Sequence, residues 1–194
     1  WLQVVSVGEI NLIESLLRRL QEAAVAPVII STTTLTGNRV ARRKYAGRCP
    51  VIFFPLDVSW IVRRVIRKIN PRVFIAVETE IWPNVFRILH QEGVPVLILN
   101  ARISDKAFQR YLAIRRLVGP VLRRCAYIGA QNQMYRQRYI RLGAGPEQVA
   151  VTGNLKLRSI VVDEEKLAAV KKKYTPYLKP GGRLLWLAAS THQP

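Results

Sequence analysis

The chain has 194 residues, enough for one full domain and part of another. Hydrophobic residues make up 49%, ordinary for a globular core, and no apolar run reaches the ~18 residues that a membrane-spanning helix needs. Lys and Arg number 31 against 12 Asp and Glu, and the resulting net charge of +19 favours anionic partners such as nucleic acid, anionic lipid or phosphorylated substrates.

Strand-like and helix-like runs alternate from the first residue. Leu2 to Val7 is a short apolar run; Gly8 breaks it, Glu9 follows, and a helical pattern begins at Ile10. Pro27 to Ser31 reads as a second strand, Thr32 to Gly37 as a polar loop and Asn38 to Tyr45 as a short basic helix. A third strand spans Val51 to Phe54. Val58, Ile61, Val62, Val65, Ile66 and Ile69 then follow the spacing of an amphipathic helix, with Arg63, Arg64, Arg67 and Lys68 on its other side. Asn70-Pro71 ends that helix, because the residue before proline is pushed away from helical angles. Arg72 to Val77 is a fourth strand, Trp82 to Glu92 a helix closed by Gly93, and Pro95 to Leu99 a fifth strand. Asp105 to Arg124 is helical with a break expected near Gly119-Pro120. Tyr127 to Ala130, a helix over Asn132 to Leu142, and Gln148 to Val151 complete the series.

Strands separated by helices of these lengths imply βαβ units: an α/β fold with a Rossmann-like parallel sheet flanked by helices. That domain is expected over residues 1–152. A charged helix and a Pro/Gly-rich stretch make 153–182 a linker, and a strand from Arg183 opens a second domain in 183–194. The chain starts at Trp1 in strand-like residues and ends at Pro194 just after another such run, so it reads as a piece of a longer protein. Cys49 and Cys125 lie far apart without metal-ligand spacing and read as buried or incidental thiols of a reducing compartment.

The polar clusters fall just after predicted strands. Glu9 follows the first; Thr33, Thr36 and Gly37 the second; Glu78 and Glu80 the fourth; Asn100, Arg102 and Ser104 the fifth; Gln131 the sixth; and Gly153, Asn154 and Lys156 the seventh. In an open parallel sheet ligands bind outside these strand ends. Glu9, after a glycine that lets the backbone turn tightly, is suited to take a proton from a bound hydroxyl. Each residue also has a plain reading. Glu9 fits the acidic first turn of a helix, the threonines fit helix caps, and Glu78 and Glu80 fit surface pairs with the many basic residues. Other catalytic schemes fit poorly. There is no P-loop or dinucleotide-binding glycine motif, and His90 and His192 are too few for a histidine-rich metal site.

Taken together, Trp-Leu-Gln-Val-Val-Ser-Val-Gly-Glu (1–9), Thr-Thr-Thr-Leu-Thr-Gly (32–37), Glu-Thr-Glu-Ile-Trp-Pro-Asn (78–84), Asn-Ala-Arg-Ile-Ser (100–104), Gly-Asn-Leu-Lys (153–156) and Ser-Thr-His (190–192) occur in that order. The chain resembles the 3-deoxy-D-manno-octulosonic acid (Kdo) transferases of Gram-negative bacteria. The resemblance implies the N-terminal domain of a GT-B glycosyltransferase, an inverting enzyme that moves Kdo from CMP-Kdo to lipid A precursor. It implies work at the cytoplasmic face of the inner membrane, with no cofactor and no metal. Glu9 then stands at the general base. Ser6, Gly8, Thr33, Thr36, Glu78, Glu80, Asn100 and Arg102 line the acceptor side. Gln131, Gly153, Asn154, Lys156, Ser190, Thr191 and His192 lie toward the donor. The family usually carries a His where Gln3 stands, a bulk of donor domain beyond the point where this chain ends, and an N-terminal membrane anchor. The isolated chain is therefore expected to be inactive.

The basic helices around Arg39, Arg42, Arg43 and Lys44, and around Arg63 to Lys68, suit an anionic membrane surface, each cation near it contributing ~1 kcal/mol. The rival readings are a basic nucleic-acid-binding α/β module and a GT-B enzyme using another sugar nucleotide. Acidic residues at the strand ends and the lack of any RRM, KH or zinc-finger pattern argue against specific nucleic-acid binding.

Overall fold

The computed structural model describes residues 1–23 and 27–155, with 168, 169 and 172 beyond them. The chain divides into two compact units, Trp1–Ser159 and Ile160–Pro194. In the first, seven strands form one sheet: β1 (Leu2–Val4), β2 (Ile30–Thr32), β3 (Val51–Phe53), β4 (Phe74–Val77), β5 (Val96–Ala101), β6 (Tyr127–Ala130) and β7 (Val149–Val151). Their order is β3-β2-β1-β4-β5-β6-β7, and every neighbouring pair is parallel. This is the Rossmann-like order expected of chained βαβ units, with its switch point between β1 and β4.

The helices are α1 (Val7–Leu12), α2 (Glu14–Glu22), α3 (Leu35–Lys44), α4 (Ser59–Ile69), α5 (Pro83–Gln91), α6 (Asp105–Ala113), α7 (Arg115–Leu122) and α8 (Gln133–Leu142). β4 shows how the sheet is held. Phe74 and Ala76 point into one core with Phe86, Ile98 and Ile128, while Ile75 and Val77 point into the other with Leu2, Ile10 and Ile30. A strand buried on both faces reads as a continuous apolar run, as this one does.

Several boundaries differ from the sequence reading. β1 ends at Val4 and the helix begins at Val7, not at Ile10, so Gly8 lies inside the first helical turn. α3 begins at Leu35, drawing Thr36 and Gly37 into the helix rather than a loop. β5 runs on to Ala101, so Asn100 is in the strand, beside a register shift against β6. The break expected at Gly119-Pro120 lies at Ile114, and Pro120 sits inside α7. Phe108 and Val121 both enter the same core. Thirteen residues apart they would point about 140° away from one another on one straight helix, so a turn between them is what lets both be buried. The strand expected from Arg183 and most of the 153–182 linker lie outside the described residues.

Candidate active site

The carboxyl ends of β1 and β4 lie side by side at the switch point, and the acidic residues follow them. Glu9 is only 7% exposed. Ser6 caps α1, and its hydroxyl accepts the Glu9 N–H at 3.3 Å while donating to Glu9 Oε1 at 2.9 Å. The Val5 N–H donates to Oε2 at 2.9 Å. This is the reciprocal bonding of a capping box, displaced by one residue at its backbone donor. The plain and the functional readings of Glu9 therefore coexist. Each oxygen is held by one donor and keeps acceptor capacity for another. Burial pushes the Glu9 carboxyl up from its ordinary value, the Val5 and Ser6 hydrogen bonds oppose that, and the charge of Glu78 adds to it. The tight turn expected of Gly8 is absent: its φ is not positive, and the chain turns through Val5 and Ser6 instead.

After β4 the chain turns sharply at Glu78, whose φ is +64. Its side chain is 13% exposed, and one oxygen accepts from both Nε and Nη2 of Arg102, at 2.9 and 2.8 Å. Arg102 thus spends much of its charge on Glu78. Glu80 accepts from the indole N–H of Trp82 at 2.9 Å. Burial, and then the charges of Glu9 and Glu78, push its carboxyl up to about 7 against the indole bond. Further along the same motif, Asn84 is structural. Asp57 accepts the Asn84 and Val85 N–H groups at the start of α5, and the Asn84 amide donates to the Asp57 carbonyl at 2.7 Å.

Asn100 is 1% exposed with φ +55. Its Oδ1 accepts from the Leu155 N–H at 3.1 Å, and its carbonyl accepts from Gln131 Nε2 at 3.1 Å. Gln131 and the segment leaving β7 are thereby tied to the end of β5. Gly153 turns there at φ +81, and Asn154 beside it is half-buried. On the other side of β1, Gln3 is fully buried. It accepts from Ser31 and donates to Thr33 Oγ1 at 3.1 Å, fixing the end of β2. Thr34, not Thr33 or Thr36, caps α3, and its hydroxyl donates to the Val5 carbonyl at 3.1 Å. Thr36 is exposed in the first turn of α3. Lys156, Ser190, Thr191 and His192 lie outside the described residues.

Four exposed apolar residues near the carboxyl ends of β2 and β3 were missed from sequence. Leu35 opens α3, Phe53 ends β3, Leu56 follows it and Trp60 lies in the first turn of α4; they are 68, 48, 72 and 68% exposed. The available signal was Trp60, which falls off the apolar stripe of α4 among its arginines. Of the basic residues nearby, Lys44 pairs with Glu14 and Arg63 with Glu92, whereas Arg39, Arg43, Arg64, Arg67 and Lys68 are exposed. Among the described residues no helix is long and apolar enough to cross a membrane.

The sequence pattern of the family described as "3-Deoxy-D-manno-octulosonic-acid transferase (kdotransferase)" matches residues 1–159. A bifunctional glycosyltransferase/methyltransferase of Fusobacterium nucleatum is 32% identical over 194 residues, covering 98% of this chain and 30% of its own length. A 3-deoxy-D-manno-octulosonic acid transferase of Haemophilus influenzae is 31% identical over 193 residues, covering 99% of this chain and 44% of its own length. The chain thus spans less than half the length of these relatives. In fold it is similar to a UDP-GlcNAc 2-epimerase from Neisseria meningitidis bound to UDP-GlcNAc. The TM-score is 0.60 at 14% identity, over 91% of this chain and 53% of the other. That likeness is one of fold, the Rossmann-like, GT-B-type N-terminal domain. With the ordered motifs, the sheet and the profile match in agreement, the chain belongs to the 3-deoxy-D-manno-octulosonic-acid transferase family.

Proposed function

We propose that this chain is the acceptor-side part of an inverting Kdo transferase, which moves Kdo from CMP-Kdo to lipid A precursor. The observation that carries the reading is Glu9: a buried carboxylate, aimed by Ser6 and Val5, at the switch point of a parallel sheet. Glu9 takes the proton of an acceptor hydroxyl as that oxygen forms its bond to the anomeric carbon of Kdo. The bond from that carbon to the phosphate oxygen breaks, and CMP leaves with the electron pair. One displacement inverts the anomeric centre. The raised pKa makes Glu9 a stronger base while it is ionised. Glu80, half protonated near neutrality, lowers the negative charge that Glu9 must bear beside Glu78. In this reading residues 1–152 hold the acceptor, 153–182 lead out of the domain, and 183–194 begin the half that binds most of the donor.

Exposed Leu35, Phe53, Leu56 and Trp60, with exposed cations on helices α3 and α4, support docking on an anionic membrane, here the cytoplasmic face of the inner membrane. A lipid acceptor then reaches the strand ends without leaving its bilayer. The test is Glu9→Gln in a protein that carries this chain with a donor-binding half, assayed with CMP-Kdo and lipid A precursor. The amide keeps the shape but takes no proton, so transfer falls by roughly 10²–10⁴-fold with the fold unchanged. Normal turnover by a folded variant overturns the assignment. Loss on Glu80→Gln alone moves the base there.

A further inference from the structure

Helix α7 carries a cavity at the sheet edge opposite Glu9. The run Arg-Arg-Leu-Val-Gly-Pro-Val-Leu-Arg-Arg (115–124) sets Arg116, Gly119, Pro120 and Arg123 at i, i+3, i+4 and i+7, on one helical face. Two long cationic side chains flank two residues that project almost nothing. Gly143, at φ +115, ends α8 against this point. A Cβ on Gly143 would stand 2.8 Å from Gly119 Cα, and one on Gly119 would stand 3.1 Å from the Leu142 carbonyl oxygen. The helices therefore touch backbone to backbone, and a hollow of about 760 Å³ opens over the contact, walled by Leu112, Ala113, Arg115, Arg116, Arg123 and Leu142 among others.

The Arg123 guanidinium lies across this glycine floor, Nη1 being 3.5 Å from both ideal Cβ positions. It reaches the Gly143 carbonyl at only 3.4 Å, a long bond that leaves most of its donors open. Arg115 and Arg116 have no acidic partner among the described residues, where ion pairs occupy Arg18, Arg48, Arg63, Arg102 and Arg138. Among the described residues no acidic one lines the hollow. Three arginines lining one hollow repel one another, and an anion among them relieves that repulsion. Gln148, whose amide donates to the Arg123 and Cys125 carbonyls just before β6, fixes the floor to the amino-terminal edge of the sheet.

We infer that this cavity binds a phosphate-bearing anion, a monoester or diphosphate, through the guanidinium groups of Arg116 and Arg123 with Arg115 beside them. The guanidinium fork matches phosphate oxygens two at a time, which a lysine does not. Ile114 and Leu117, 47 and 72% exposed, neighbour Arg115 and Arg116 in the chain, and the phosphate chemistry is shared by a lipid headgroup and a soluble phosphate compound. The site is separate from the transfer chemistry and stands or falls without it.

The test titrates the purified chain with sodium pyrophosphate at about 0.15 M salt, where long-range attraction to the net positive charge is screened, following backbone amides by NMR. Saturable shifts are expected at Gly119, Arg123 and Gly143. The double variant Arg116→Gln/Arg123→Gln should bind at least about tenfold more weakly, with circular dichroism and melting unchanged, while Arg18→Gln/Arg19→Gln on α2 binds as the parent. A second arm uses phosphatidylcholine vesicles with and without phosphatidic acid. If the Arg116/Arg123 variant also loses vesicle binding, the source is a headgroup; if only pyrophosphate binding falls, it is soluble. Unsaturated shifts spread evenly over all basic helices, or equal binding by the Arg116/Arg123 variant in both arms, overturn the site.

Discussion

Ser6 and Glu9 hold each other twice across one turn of α1: the Ser6 hydroxyl accepts the Glu9 amide proton and gives its own to Glu9 Oε1. A residue that ends a strand-to-helix turn thus also aims the carboxylate proposed as the base. Ser6→Ala removes the cap, which costs about 1 kcal/mol, and removes a hydrogen bond to the charged form of Glu9. That bond favours ionisation, so its loss moves the Glu9 pKa further up. The base works ionised, and the acidic limb of the pH–rate profile should therefore shift to higher pH. Denaturant titration measures the first effect and the pH profile the second. A limb that stays in place would detach Ser6 from the chemistry.

Much of this arrangement was legible in the sequence, and the failures have physical causes. Tyr127 to Ala130 was read at its observed bounds because a short apolar run between helical patterns has one interpretation in a parallel sheet. The start of α1 was misplaced because Val5 and Val7 continue an apolar run. Ser6-x-x-Glu9 was the capping signal that marks the true start. Pro120 suggested a break that occurs at Ile114, since burial of both Phe108 and Val121 requires a turn between them. Polar residues after strands were readable as a rim. Their pairings were not: Arg102 with Glu78, Gln131 with Asn100 and Gln3 with Thr33 join residues 24 to 31 positions apart. Only the sheet order brings them together.

Glu80 gives a stability prediction with a definite sign. Its folded pKa, about 7, lies above the ordinary value of 4.5, so the folded state binds its proton more tightly than the unfolded chain. The charged carboxyl is therefore a cost that is present in full above pH 7 and fades as pH falls toward 4.5. Glu80→Gln keeps an acceptor for the Trp82 indole and removes the charge. It should stabilise the protein at pH 8 by about 2 kcal/mol, after allowance for the part of the group that faces water. The gain should shrink steadily toward pH 5. Unfolding curves of both proteins across that range decide it, and a gain independent of pH would show that the charge is not its cause.

Gly37 and Gly8 form a contrasting pair. A Cβ on Gly37 would stand 2.8 Å from the Val5 carbonyl oxygen and 2.8 Å from Thr34 Oγ1, where α3 meets the turn that carries Glu9. Alanine is the better helix former by ~1 kcal/mol, yet the overlap with backbone should dominate, leaving Gly37→Ala less stable by about 1–3 kcal/mol. Gly8 meets only Ser6 Oγ at 3.7 Å and has an ordinary helical backbone. Gly8→Ala should be neutral or stabilising by up to about 1 kcal/mol. Chemical denaturation of both variants separates close approach from backbone freedom as the reason for a glycine. Equal losses at the two positions would contradict the packing described at α3.

The membrane reading divides into two terms with different salt dependence. Arg64, Arg67 and Lys68 are exposed on α4, whose first turn also carries the exposed Trp60; Leu35, Phe53 and Leu56 are exposed near the ends of β2 and β3. Each cation near an anionic surface contributes ~1 kcal/mol, so changing all three to Gln should weaken binding to acidic vesicles by roughly a hundredfold at low salt. That loss should vanish as salt rises, because the screening length falls from ~10 Å at 0.1 M to ~3 Å at 1 M. Trp60→Ser removes apolar burial worth up to about 2 kcal/mol, and its effect should persist at high salt. Vesicle co-sedimentation across a salt series separates the two. Nucleic acid should also bind at low salt, being a polyanion, but at physiological salt it should not displace the protein from acidic vesicles. If DNA or RNA strips it off with sequence preference, the surface serves nucleic acid. If both variants bind vesicles as the parent does, these apolar residues and cations are solvated and the bilayer contact lies elsewhere.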